Sequence, residues 1–273
     1  MHSSVMNTWA RRRLDTSDVG PIFGSTKLAA GAPHIRAFCE CVGACAIRAA
    51  LTLAVIALLL LFVLPAQAQE TVLYNFTGGS DGGYPQSSLT FDAAGNLYGT
   101  TSAGGLGYGT VFELSPNGNG GWNETVLYSF TGGADGATPA HSDVIFDSVG
   151  NLYGTAYSGG ANGYGVVFEL SPAGASWTET VLYSFANTPD GANPVNSLIM
   201  DPAGNLFGRT LYGGGGNGIV FKLSPSGGGW TEQVIYAAET EASNAGLTMD
   251  AAGNIFGTTY STVFELSPNG NGG

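Results

Sequence analysis

Three aspartates recur at matched places in this chain, each in a GG-x-DG-x-x-P loop: Asp81, Asp135 and, as TPDGANP, Asp190. Asp-Gly is a strong turn signal. Neighbouring glycine-rich loops carry Tyr108 and Tyr164. Carboxylates that accept hydroxyl hydrogen bonds, beside rings that stack, are groups able to grip a sugar or a peptide. Asp81, Asp135, Asp190, Tyr108 and Tyr164 are therefore candidate ligand-binding residues. Arg209 joins them, because it stands where the other repeats have Thr100, Thr155 and Thr258. It could pair a carboxylate ligand or neutralise a neighbouring aspartate. The plainer reading is that repeated turns merely repeat.

Other chemistry is thinner. Asp92, Asp147, Asp201 and Asp250 each precede A/S/P-x-G-N. One carboxylate per tight turn is far short of the roughly six to eight oxygens that Ca²⁺ takes, so these read as turn caps. No metal or cofactor is expected. His141 is the only histidine after residue 69 and has no Ser or Cys nucleophile motif beside it, so no catalytic residue is assigned. Trp122, Trp177 and Trp230 recur ahead of an E-[TQ]-V strand and read as seam or edge covers rather than a stacking platform.

These residues ride on a repeated cassette. ETVLYxF-like segments begin at Glu70, Glu124, Glu179 and Glu232; G-N-[LI]-[YF]-G follows at Gly95, Gly150, Gly204 and Gly253; V-F-x-L-S-P follows at Val111, Val167, Val220 and Val263. A period of about 50 residues means one supersecondary unit per repeat. In Glu124–Phe130, Val126, Tyr128 and Phe130 alternate with Thr125, Leu127 and Ser129, the period of a strand. Ser88–Asp92, Asn96–Thr101 and Thr110–Leu114 read as three further strands, separated by Gly, Asn and Asp turns.

Four short antiparallel strands per unit predict an all-β fold, a β-propeller of four four-stranded blades. Three blades are complete, at 86–130, 141–185 and 195–237. The fourth, 245–268, lacks its last strand, and Glu70–Phe76 is the spare copy expected to pair with Thr262–Leu266 and close the ring. A truncated gene is the competing expectation, because the NGNGG of residues 117–121 returns at the C-terminus and the chain stops there. The fourth unit has also lost both face loops, at Ala237–Ala245 and at Tyr260-Ser261.

Charge divides the chain near residue 69. Beyond it stand two basic residues, Arg209 and Lys222, against seventeen acidic ones, a net charge of −15. Such a surface repels nucleic acid and anionic lipid. The apolar run Ala49–Leu64, preceded by Arg48 and followed by Pro65-Ala66-Gln67-Ala68, reads as a secretory signal cleaved after Ala68, with an uncleaved anchor as the alternative. Residues 1–68 are thus lead plus signal, 69–273 is the mature repeat domain, and no membrane contact is expected after cleavage. Cys39, Cys41 and Cys45 all fall in the lead, so the repeats hold no disulfide.

The ETVLYSFTGGADGATP segment, the DxxGNLYGTT segment and the YGxVFELSP segment together resemble the "GloVer" tandem repeats of the choice-of-anchor family of bacterial secreted proteins, across residues 70–273. The resemblance implies a secreted or surface repeat protein, propeller-like, with no established activity. Three functions are carried forward: a non-catalytic module binding a glycan, peptide or surface component through the DG-loop face; a glycoside hydrolase or lyase using paired carboxylates; and a purely structural surface array. The repetition of nearly every acid weighs against the second.

Overall fold

The computed structural model describes residues 48–55, 68–139, 142–238 and 245–268. His141, the three cysteines and most of the apolar run lie outside the described residues, as does the greater part of the Ala237–Ala245 segment. The chain divides into two compact units, Met1–Gln69 and Glu70–Gly273. In the first, residues 48–55 are helical. Among the described residues no helix is long and apolar enough to cross a membrane.

The second unit is all-β, four antiparallel sheets in succession. The first comprises β1 (Gly83–Pro85), β2 (Thr90–Phe91), β3 (Leu97–Ala103), β4 (Thr110–Pro116) and β5 (Trp122–Ser129). The second holds β6 (Ile145–Phe146), β7 (Leu152–Ala156), β8 (Val166–Ala173) and β9 (Ser176–Ser184). The third holds β10 (Ala192–Met200), β11 (Leu206–Tyr212), β12 (Ile219–Ser226) and β13 (Gly229–Ala237). The fourth has three strands, β14 (Thr248–Met249), β15 (Ile255–Thr258) and β16 (Val263–Leu266). β1 and β2 are two pieces of one edge strand, since β10 spans both equivalent positions with a register shift between Val195 and Ile199.

The sheets pack through the residues that alternate along their strands. Val111 of the first sheet is buried with Phe130, Val144 and Phe168 of the first two repeats. Val167 is buried likewise with Phe185 and Phe221, one repeat further on. An aromatic ladder runs through the seams. Phe130 meets Phe168 edge-on at 5.2 Å, and Phe185 meets Phe221 at 5.1 Å. Room for these rings comes from the glycine of G-N-[LI]-[YF]-G: a Cβ on Gly154 would lie 2.6 Å from Phe168 Cζ, and one on Gly208 2.5 Å from Phe221 Cζ.

The expected closing strand does not form. Residues 70–76 contain no strand, and among the described residues β16 is paired with β15 alone. The segment is held through its side chains instead. Phe76 meets Phe112 edge-on at 4.8 Å, and Tyr74 packs against the Leu97, Phe112 and Leu114 cluster of the first sheet. The segment thus keeps the side-chain contacts of an outer strand without its backbone ladder. Val263 is 81% exposed, whereas the equivalent Val111 and Val167 are fully buried.

Candidate functional site

Strand direction sorts the loops. β3 ends and β4 begins at the end of the sheet that also carries the DG loop, and the Asp92-type turns lie at the opposite end. The three DG aspartates share that end, each turned inward on its own loop. Asp135 accepts from Thr131 N at 2.7 Å, Thr131 Oγ1 at 2.6 Å and Tyr128 Oη at 2.9 Å. Asp81 accepts from Thr77 N, Thr77 Oγ1 and Tyr74 Oη in the same way. Asp190, buried, accepts from Tyr183 Oη at 2.7 Å and Ala186 N at 3.1 Å. Burial pushes the Asp135 carboxyl upward, but the bonds from Thr131 and Tyr128 outweigh it and hold it below the usual range. These carboxylates rigidify the DG loops, which are hydrogen-bonded to the glycine-rich loops that carry Tyr108 and Tyr164.

Those rings form the distinctive feature of this end. Five of the twelve tyrosines are exposed: Tyr84, Tyr108, Tyr164, Tyr212 and Tyr260, from 38% to 72%. All five lie at the DG-loop end, and the other seven are buried or half-buried. Tyr84 sits in β1 between the pairs Gly83↔Ala103 and Pro85↔Thr101, beside the top of β3. The Tyr108 ring lies against Gly132 of the next DG loop, where an added Cβ would meet it at 2.5 Å. Its carbonyl accepts from Thr138 N at 2.8 Å, as the Tyr164 carbonyl accepts from Asn193 N. Tyr212 pairs with Ala192 at the top of β11, and Tyr260 occupies the short link between β15 and β16. Tyr108 and Tyr164 were legible as candidates. No repeated motif marks Tyr84, Tyr212 or Tyr260, although Tyr212 breaks the repeat where Ala103 and Ser158 stand.

Tyr164 depends on the glycine after it. Gly165 has φ +94°, and a Cβ there would lie 2.5 Å from Pro194 Cδ and 2.6 Å from Ala156 O. Gly165→Ala is expected to cost well over ~1 kcal/mol in thermal unfolding, since both the left-handed backbone and the contacts oppose it. Gly163→Ala, with φ +83° and open space around it, meets only the backbone penalty and should cost less.

Arg209 stands apart from this surface. Only 3% exposed, it donates from Nη1 to Thr258 O at 2.6 Å and Ala245 O at 3.2 Å, with its guanidinium 5.7 Å from the Phe264 ring. It spans the seam between the third and fourth sheets as Thr100 Oγ1 spans the first seam to Pro139 O and Ser142 O. The Asp92-type residues cap their turns: Asp92 Oδ1 accepts from Ala94 N and Asn96 N, and Oδ2 from Asn96 Nδ2 and Tyr98 Oη. Among the described residues no three His, Cys, Asp or Glu side chains gather closely enough to hold a metal ion.

Two of the concavities among the described residues lie between repeats. A polar cavity of about 290 Å³ is lined by Gln86, Ser88, Asp143, Asn196, Ser197 and Gly246, so all four repeats reach it. Asp143 ties its walls, accepting from Ser88 N and Ser197 Oγ. A second, of about 740 Å³, lies between the third and fourth sheets and includes Phe207, Ile235, Met249 and Leu266. Trp177 and Trp230 pack into the preceding seams, and residues 245–268 supply no tryptophan for this one.

Tandem antiparallel sheets packed through repeated aromatic seams define an all-β repeat protein with a propeller-like course. The chain belongs to the Gloeobacter/Verrucomicrobia repeat family, whose model matches residues 60–271. No curated protein matches it. Among solved structures it is similar to a gluconolactonase from Xanthomonas campestris (18% identity, TM-score 0.44, covering 66% of this chain and 55% of that one). A protein of unknown function from Dyadobacter fermentans gives 14% identity and TM-score 0.44, covering 70% and 59%. A bifunctional GH43-CE protein from Bacteroides eggerthii gives 22% identity and TM-score 0.35, covering 62% and 21%. The chain thus spans little more than half the length of the first two.

Proposed function

We propose that this is a secreted, non-catalytic recognition module that binds an extracellular glycan at the DG-loop end. The observation that carries this reading is the gathering of all five exposed tyrosines at that end, where the DG loops held by Asp81, Asp135 and Asp190 also lie. A tyrosine ring offers an apolar face for sugar C–H groups and a hydroxyl for hydrogen bonding, at low conformational cost. The net charge of −15 after residue 69 favours an uncharged or cationic ligand over an anionic polymer. The aspartates serve as braces behind Tyr108 and Tyr164 and Arg209 as a seam tie, so the contact surface is chiefly aromatic.

A glycan array probed with the Glu70–Gly273 unit tests this reading. Retention of neutral glycans is expected, and Tyr84→Ala, Tyr108→Ala and Tyr164→Ala should each weaken binding by roughly 2- to 10-fold. Binding of peptides alone would move the ligand class, and silence on both glycan and peptide arrays would favour a structural surface array. Turnover of a glycan that survives all three substitutions would favour the carbohydrate-active enzyme instead.

A further inference from the structure

The first and last repeats each expose half of a contact that the other repeats complete. At the leading side, Leu89 is 47% and Phe91 65% exposed, where the equivalent Val144 and Leu198 are buried and Phe146 packs edge-on against Tyr98. At the trailing side, Val263 is exposed where Val111, Val167 and Val220 are buried against the following repeat. The backbone repeats the pattern. Residues 70–76 carry an outer-strand sequence with no ladder, and β16 lacks the outer partner that β4, β8 and β12 have in β5, β9 and β13. Val72 is exposed, although its counterparts Val181 and Val234 pack into the seams ahead of their sheets.

We infer that the unit associates head to tail with a second copy of itself. The Glu70–Phe76 segment of one copy adds to the edge of β16 in the next, and the exposed leading face meets the exposed trailing face. Complementarity identifies the occupant: the sequence that completes this kind of edge three times within the chain recurs at Glu70–Phe76 without a ladder, with Glu70–Leu73 exposed. The register follows from β4 with β5, where Phe112↔Val126, Glu113↔Thr125 and Leu114↔Glu124 are partners. Transferred, it places Phe264 opposite Val72, Glu265 opposite Thr71 and Leu266 opposite Glu70. Main-chain hydrogen bonds supply affinity, and Val72 and Leu73 supply the apolar anchors. The contact is heterologous, so copies join into a closed ring or a filament according to the rotation between them. It also covers an open sheet edge that otherwise invites indiscriminate pairing.

No cysteine lies between residues 70 and 273, so an engineered pair reports this contact alone. All four buried clusters of the repeat region lie within Glu70–Gly273, which therefore carries its own core for the experiment. Differently tagged Thr71→Cys and Glu265→Cys copies are mixed and oxidised; both positions are exposed. Directly opposed residues in an antiparallel pair stand about 4.5–5.5 Å apart between Cα atoms, within disulfide reach. A mixed-tag disulfide dimer is expected, together with a solution mass that rises with concentration. Val263→Asp and Val72→Asp, both at exposed sites, should restore the monomer and leave Tm equal to that of the dilute wild type. A monomer at every concentration would overturn the inference. So would a Thr71→Cys/Glu265→Cys double variant that cross-links only within one chain, because that result would mean the segment closes its own ring.

Discussion

Phe168→Ala should lower the stability of the repeat unit by about 3–5 kcal/mol, the range for truncating a fully buried aromatic. The ring is wholly inaccessible, with the Phe130 ring edge-on at 5.2 Å and Gly154 left without a Cβ to admit it. The hole would open among strand residues whose backbone is held by the ladder from Gly154↔Phe168 to Phe168↔Val181. At roughly 2–4 °C per kcal/mol for a unit of this size, Tm should fall by about 10 °C. Phe264→Ala is the control. It sits at the same place in the last repeat, half-buried, stacked on Tyr236 at 5.6 Å. At a dilution that keeps the unit monomeric, its loss should cost roughly a third as much, since a half-buried site leaves no closed cavity. Equal effects at the two positions would mean that the open trailing face is covered in solution.

The second large effect is an unusual dependence on pH. Glu124, Glu179 and Glu232 lie near the start of their outer strands with Oε1 buried and unpaired. Burial, then the charge of the DG aspartate from the preceding loop, pushes Glu124 up to about 6 and Glu179 and Glu232 up to about 7. A carboxyl raised above its unfolded value of 4.5 binds its proton more tightly in the folded state. Its contribution is complete below that value and is lost as pH rises through the folded pKa. Asp92, Asp135 and Asp147 act oppositely: with folded values held down by hydrogen bonds despite burial, they stabilise above 3.8 and lose that contribution in acid. Maximum stability should therefore lie near pH 4–5, as an order-of-magnitude placement. Discounted for solvent screening, each glutamate contributes about 1 kcal/mol, so Tm should drop by roughly 5–10 °C between pH 5 and 8. The Glu124→Gln/Glu179→Gln/Glu232→Gln variant should keep the acid limb and flatten the rest. A wild-type Tm that rises from pH 5 to 8 would refute this assignment.

The strands were legible in the sequence because alternation and turn chemistry are local. The turn caps at Asp92, Asp147, Asp201 and Asp250 and the seam tryptophans follow the expected pattern. Arg209 was not legible: a break in the repeat marks a position as special without saying which face it points to. Here the side chain bridges backbone carbonyls across a seam and rests near Phe264. The closing strand failed for a related reason. The ETVLYNF motif encodes two roles, a ladder and a pair of anchoring rings, and at residues 70–76 only the rings are engaged. The glutamates near the start of these strands are indistinguishable from the rest of the motif in sequence, because burial of one carboxylate oxygen depends on the neighbouring repeat. The shared exposure of Tyr84 and Tyr260 emerges only once strand directions are combined.

The recognition surface is tested most directly by tyrosine nitration of the Glu70–Gly273 unit, free and saturated with the glycan that the array retains best. Tyr84, Tyr108, Tyr164, Tyr212 and Tyr260 should react in the free protein, and the ligand should shield at least the neighbouring rings of this set. Undiminished nitration at all five under saturation would contradict a ligand seated on the DG-loop end.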